Sequence, residues 1–175
     1  MRLLTIIALG LLTAACGFQL RGQAKLPFET LYVAIPAISP LGIELKRNLI
    51  AGTHTRLVNT PAEAQAVLEL TSEERSKGIL SFDTAGQIRE MQLRYRLSFR
   101  VRDARGRDYL PLSEIRVTRD VSYSSTQVLA KESEEQLLYR DMQSDVVQQL
   151  LRRLAAAPAE PIAFEPEAKK DAAPR

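Results

Sequence analysis

The sequence predicts an α+β fold in which helices lie over one face of a sheet and the other face stays wet. Three stretches carry that prediction. From Met91 to Arg102, Met91, Leu93, Tyr95, Leu97, Phe99 and Val101 alternate with Gln92, Arg94, Arg96, Ser98, Arg100 and Arg102. A period of two marks a central strand with one apolar face. Farther along, Leu138, Met142, Val146, Leu150 and Leu154 recur every four residues, flanked by Tyr139, Val147 and Leu151, which is the stripe of a helix with one face to bury. Leu41, Leu45, Leu49 and Ile50 repeat the helical pattern on a shorter scale. With 175 residues, 45% of them hydrophobic and none Trp, the chain has room for one such domain plus tails.

Taken in order, residues 1–15 read as a secretory signal. Arg2 is followed by the apolar run Leu3 to Leu12, too short to span a bilayer, and then by small residues. The only cysteine, Cys16, stands directly after Thr13, Ala14 and Ala15, an arrangement that resembles a bacterial lipobox with Thr13 where that pattern has Leu. The resemblance makes Cys16 the acylated N-terminus of an anchored segment, residues 16–30, and Gly17, not Asp, after the cysteine resembles an outer-membrane address. A lone cysteine in an exported chain cannot form an internal disulfide.

Leu31 to Ile35 reads as a short buried strand ended by Pro36, after which Ser39 and Pro40 open the first helix and Gly52 stops it. Arg56 to Val58 is a brief strand, and Asn59-Thr60-Pro61 turns the chain. Ala66 to Leu70 extends into the charged stretch Thr71 to Lys77, suited to a sheet edge or a wet surface. Asp83 to Gln87 is a turn leading into the arginine-rich strand, and a hairpin follows at Asp103 to Asp108, where Gly106 supplies positive φ. Leu110 and Leu112 share one parity while Ile115, Val117, Val121 and Tyr123 share the other, so a β-bulge near Ser113 is expected to turn all of them inward. Ser133 and Gln136 resemble a capping box for the second helix, which ends with Arg152 and Arg153 in its last turn. The domain therefore spans 31–155, and the Ala-, Pro-, Glu- and Lys-rich 156–175 reads as a disordered tail.

Charge is unevenly distributed. Between Arg89 and Arg119 there are nine Arg and no Lys against Glu90, Asp103, Asp108 and Glu114, and guanidinium binds phosphate or carboxylate bidentately where ammonium acts as a point charge. With Asp103 opposite Asp108 and one extra residue at the bulge, Ile115 falls opposite Leu97, Val117 opposite Tyr95, and Arg116 opposite Arg96. Like charges directly opposed destabilise a sheet. Glu114, beside Ser98, is expected to neutralise this pair only in part, which leaves two readings: a solvated face balanced by neighbouring carboxylates, or an anion-binding surface.

Catalysis and metal binding have little to draw on. His54 is the single histidine, Cys16 is committed to acylation, and the adjacent acids Glu73-Glu74 and Glu134-Glu135 point apart in a strand or a helix. No glycine-rich loop cradles a nucleotide, so neither enzyme nor cofactor is expected. Nucleic acid is excluded by export and by Tyr95 and Phe99 lying on the face opposite the arginines.

Cys16-Gly17-Phe18-Gln19-Leu20-Arg21-Gly22 resembles the opening of the LPS-assembly lipoprotein family LptE, and Leu129-Ala130-Lys131 resembles an L-A-K segment of that family. With the elements above, the resemblance implies a two-layer sandwich, two helices on one face of a four- to five-stranded mixed, mostly antiparallel sheet. It also implies a non-enzymatic outer-membrane lipoprotein that occupies the lumen of the LptD barrel, binds lipopolysaccharide and helps insert it into the outer leaflet. A family basic position in contact with lipopolysaccharide maps to Lys131; another falls near Asp83 and Thr84, where this chain has no basic residue, and Arg89 or Arg94 could substitute. The expected anion surface is thus Arg94, Arg96, Arg100, Arg116 and Lys131. The alternative is a scaffold for barrel folding with no lipid ligand of its own.

Overall fold

The computed structural model describes residues 25–123 and 128–162. The signal, Cys16 and the Gly17–Gly22 motif, together with residues 163–175 of the expected tail, lie outside them. Strand β1 (Thr30–Ala34), helix α1 (Pro40–Gly52), strand β2 (Arg56–Leu57), a 3₁₀ turn (Pro61–Glu63), strands β3 (Ala66–Phe82), β4 (Ile88–Arg102) and β5 (Asp108–Ser122), and helix α2 (Val128–Ala155) follow in that order. The strands form one five-stranded sheet, β2-β1-β3-β4-β5. β1 pairs in parallel with β2 and β3, and β3, β4 and β5 are antiparallel. The fold is the expected α+β sandwich, with both helices against one face.

Helix α1 begins as its sequence dictates. Ser39 Oγ accepts from the Gly42 amide at 3.2 Å, and Pro40, which has no N–H to satisfy, takes the first position. Leu41, Leu45 and Leu49 are buried, but Ile50, expected on the same stripe, is 69% exposed. One residue along a helix is a rotation of about 100°, which carries Ile50 off the buried face. A side chain at Gly42 would begin 2.8 Å from Ile35 Cγ2, so glycine is what lets the helix lie close to the end of β1.

β4 is an interior strand between β3 and β5, and its apolar face supplies Leu93, Tyr95, Leu97, Phe99 and Val101, all buried. Each such side chain stabilises the fold by roughly 1.5–3 kcal/mol. Its hairpin with β5 has the expected register: Tyr95 opposes Val117, Arg96 opposes Arg116, and Leu97 opposes Ile115. The register slips between Ser113 and Leu110, next to the expected bulge, and slips again before Asp108. Two slips turn Tyr109 into the core, edge-on to Phe28 with ring centroids 5.7 Å apart, and leave Leu112 outside at 68% exposure. The expectation that Leu112 faces the core is therefore corrected.

Helix α2 starts at Val128, ahead of the expected capping box. Ser133 is inside it, its hydroxyl donating to the Leu129 carbonyl at 3.1 Å, a mid-helix bond and not a cap. Met142, Val146, Val147, Leu150 and Leu154 are fully buried against the sheet. The core also takes in Leu26 and Phe28 before β1 and Ala157 after α2, and the Ile162 amide donates to the Asp108 carbonyl at 2.7 Å. Packing thus runs beyond 31–155 at both ends.

Candidate functional site

The face of β3–β5 away from the helices gathers four of the five expected basic residues. Arg94, Arg96 and Arg100 project from β4, and Arg116 from β5 opposite Arg96. The same face also carries carboxylates. Arg96 Nη1 donates to Glu74 Oε2 at 3.3 Å, and its Nε lies 3.6 Å from Glu114 Oε2. Arg116 donates to the other oxygen of Glu114 at 2.5 Å. Arg100 donates to Glu69 at 2.7 Å, and Arg102 pairs with the second oxygen of that carboxylate. Glu114 bridges the opposed arginines and Glu74 adds a second carboxylate at Arg96, so Glu114 neutralises the pair only in part, as expected, and β3 supplies the rest.

The sequence reading missed Glu69 and Glu74 as counter-charges for a physical reason. Five residues apart, they fall on opposite faces of a regular strand. A register shift between Leu70 and Ser72 resets the parity, so that Glu69 opposes Arg100 while Glu74 opposes Arg96. Glu73 turns to the helix side instead and accepts from the Tyr95 hydroxyl. Burial, followed by that bond, pushes the Tyr95 phenol far above its usual value.

Donors remain for an anion. Guanidinium carries five N–H groups, and here each arginine spends few of them on the protein. The exception is Arg96 Nε, which is shielded from water and faces Glu114 Oε2 at 3.6 Å without a hydrogen bond among the described residues. Arg94 donates to Gln92 Oε1 at 2.9 Å and lies over Gly78, where a Cβ would come within 3.4 Å of its Nη1.

Lys131 is set apart from these arginines. On the first turns of α2, its Nζ donates to Ser122 Oγ at 3.0 Å and to Glu134 at 2.8 Å, at the end of β5. Ser122 lies four residues, roughly 13 Å, along β5 from Thr118, the partner of Arg94. Lys131 and Lys77 line a cleft of about 280 Å³ under the helix, with Ile88, Met91, Leu93, Val121 and Tyr123 on its apolar side. Lys77 donates to Glu135 at 2.8 Å, and that carboxylate raises its pKa.

Compared with known proteins, residues 28–154 match the family profile described as LptE: Lipopolysaccharide-assembly. The chain belongs to the LptE family. It is 30% identical to the LPS-assembly lipoprotein LptE of Photorhabdus laumondii over 87% of this chain and 85% of that protein. It is 29% identical to the LptE of Yersinia pestis over 87% and 75%. Among solved structures, lipoprotein B from Nitrosomonas europaea is similar at TM-score 0.69 and 41% identity, covering 80% of this chain and 91% of that one. A minor lipoprotein from Acinetobacter baumannii gives 0.60 at 25% identity, covering 73% and 91%.

LptE is a non-enzymatic family of lipopolysaccharide-assembly lipoproteins. Among the described residues no helix is long and apolar enough to cross a membrane, and no cluster of His, Cys, Asp or Glu could hold a metal ion. His54 is exposed.

The ion pairs of this LptE face make its stability sensitive to acid. The hydrogen bond from Arg102 holds the Glu69 carboxyl below its usual 4.5, outweighing burial, with help from Arg100. A depressed native pKa contributes stability that is present above the unfolded value and is lost as pH falls through the native one. Glu69→Gln should therefore lower the thermal midpoint at neutral pH. It should also flatten the decline below about pH 4.5, as read by thermal melts across an acid titration.

Proposed function

We propose that this lipoprotein is held in the outer membrane by acyl chains on Cys16, pairs with the LptD barrel as a lumenal plug, and binds lipopolysaccharide during its assembly into the outer leaflet. One observation carries the plug reading. From Ser72 to Gly78 on β3, Gln92 to Arg100 on β4 and Glu114 to Ser122 on β5, every residue on the face away from the helices is polar or glycine. A barrel lumen is itself polar, and a domain seated in it needs a hydrogen-bonding surface of this kind. Because the helices bury their apolar stripes on the other face, that surface is free to meet the wall.

The lipopolysaccharide site we assign is Arg94, Arg96, Arg100 and Arg116 on the sheet, with Lys131 at the end of β5. Side-chain exposures of 38–58% for Arg96, Arg100 and Arg116 leave N–H donors facing solvent, and phosphate can join or replace the internal carboxylates. Arg94 and Lys131 are the best test positions, since charge reversal at Arg96 and Arg116 would leave Glu74 and Glu114 facing new carboxylates. At low salt, Arg94→Ala with Lys131→Ala should weaken binding of purified lipopolysaccharide on the order of tenfold or more, at 1.5–3 kcal/mol per charge-assisted bond. Wild-type affinity should fall as ionic strength rises.

The internal carboxylates favour a second reading, a scaffold for barrel folding with no lipid ligand. Co-purification with a large outer-membrane barrel, combined with lipopolysaccharide binding that neither salt nor the double substitution changes, would select it.

A further inference from the structure

We propose that the cleft beneath the first turns of α2 receives a single acyl chain of lipopolysaccharide, an inference that rests on the lipopolysaccharide reading above and assigns the apolar part of that ligand. The cleft exists because two apolar stripes differ in length. On the sheet, the helix-side stripe of β4 runs past Leu93 to Met91 and Ile88, with Val121 and Tyr123 beside it. On α2, the fully buried stripe begins only at Met142, and Leu138 and Tyr139 extend it by one partly buried turn. The described residues that α2 sets over the rest of the sheet are Lys131, Glu132, Glu134 and Glu135. An apolar floor under a polar roof does not close, and about 280 Å³ is left open. The floor also runs outward. Ile79 opposes Met91 and Phe82 opposes Ile88, at 48% and 57% exposure, so an apolar track leads from the cleft toward the β3–β4 turn.

This composition selects a chain and not a head group. Lys77 is matched by Glu135 and Lys131 by Glu134, each at 2.8 Å, and Glu132 leaves the rim with one more acid than base. A phosphate or carboxylate gains nothing by entering, whereas each methylene moved from water onto the floor strengthens binding about fourfold. Ligand cavities span about 300–1,000 Å³, so this one suits a single linear chain and not a whole multi-chain lipid. The source of the chain follows from where the cleft sits. Lys131 is both on its rim and in the assigned phosphate site, so a lipid with one chain in the cleft can turn its phosphates round the end of β5 toward Arg94. A domain seated in a barrel lumen is also walled off from the bilayer phospholipids. A lipopolysaccharide chain held there meets only water and polar wall unless the domain shields it.

The test uses the full mature chain with Cys16→Ser, which removes its own acyl chains and the need for detergent. The sequence has no tryptophan, so Tyr123→Trp gives one reporter at the cleft and, separately, Leu112→Trp gives one outside it. Affinity for octanol, decanol and dodecanol should rise about fourfold per methylene until the cleft is full. Terminally brominated dodecanol should quench the reporter at 123 and leave the reporter at 112 bright. Purified lipopolysaccharide should displace the brominated chain, and deacylated lipopolysaccharide should not. Val121→Phe fills the floor and should weaken dodecanol binding on the order of tenfold, with a thermal melt showing that the domain is folded. Met91→Gln makes the floor polar at similar length and should act in the same direction. Salt-sensitive lipopolysaccharide binding that leaves the brominated chain in place overturns the cleft and leaves the phosphate site standing. Equal displacement by lysophosphatidylglycerol overturns the assignment to lipopolysaccharide in favour of a general acyl site. Lipopolysaccharide that stays unbound even at low salt overturns both readings.

Discussion

Cys16→Ser should move the protein from the floating to the soluble fraction when it is mixed with neutral phosphatidylcholine vesicles. The residue precedes the described part of the chain, and the prediction follows from its place after Thr13-Ala14-Ala15 and from the lipoprotein family to which the chain belongs. Each acyl chain contributes about 0.8 kcal/mol per buried CH₂, and more than one chain gives stable anchoring. Losing them shifts the partition by many orders of magnitude, more than any surface substitution. Neutral vesicles offer the basic side chains no anionic surface, so flotation reads the anchor alone. A serine variant that still floats with these vesicles would show that the attachment lies elsewhere.

Phe99→Ala should destabilise the domain by about 3–5 kcal/mol, the range for removing a buried aromatic ring and leaving a cavity. Phe99 is fully buried near the C-terminal end of β4, opposite Leu70 on β3 and Ser113 on β5, with the Arg153 guanidinium 5.9 Å from the ring centroid. Native domains are stable by only about 5–15 kcal/mol, so a large share of the total is at stake. In urea the midpoint should fall with little change of slope, since the surface exposed on unfolding stays nearly the same. Leu112→Ser is the control. That side chain is outside, and its substitution should change stability by less than about 0.5 kcal/mol. Equal losses at the two positions would mean that β4 and β5 are packed in a different register.

Much of the fold was legible because its signals are periodic. The alternation of Met91 to Arg102 identified β4 as an interior strand with one apolar face, the four-residue spacing of Leu138 to Leu154 identified α2, and the short turn at Asp103 to Asp108 tied Arg96 to Arg116 by simple counting. The misreadings fall where a period breaks or where a local motif competes. Ile50 sits one residue beyond the stripe it was grouped with, Leu112 lies inside an irregular stretch, and Ser133 imitates a cap in mid-helix. The lipopolysaccharide-assembly family could be read from Cys16-Gly17-Phe18-Gln19-Leu20-Arg21-Gly22 and Leu129-Ala130-Lys131, short motifs that need no tertiary structure to be recognised.

The sequence by itself determined which side chains are basic, which strand carries most of them, and that they share the face opposite the helices. Only the tertiary structure decided how much of that charge is already matched. A shift at one point of β3, between Leu70 and Ser72, brings Glu69 and Glu74 onto the same face as Arg96, Arg100 and Arg116. No count of alternating residues reveals such a slip, because it belongs to the pairing of strands and falls where the pairing of β3 with β1 ends, at Glu69, while its pairing with β4 continues.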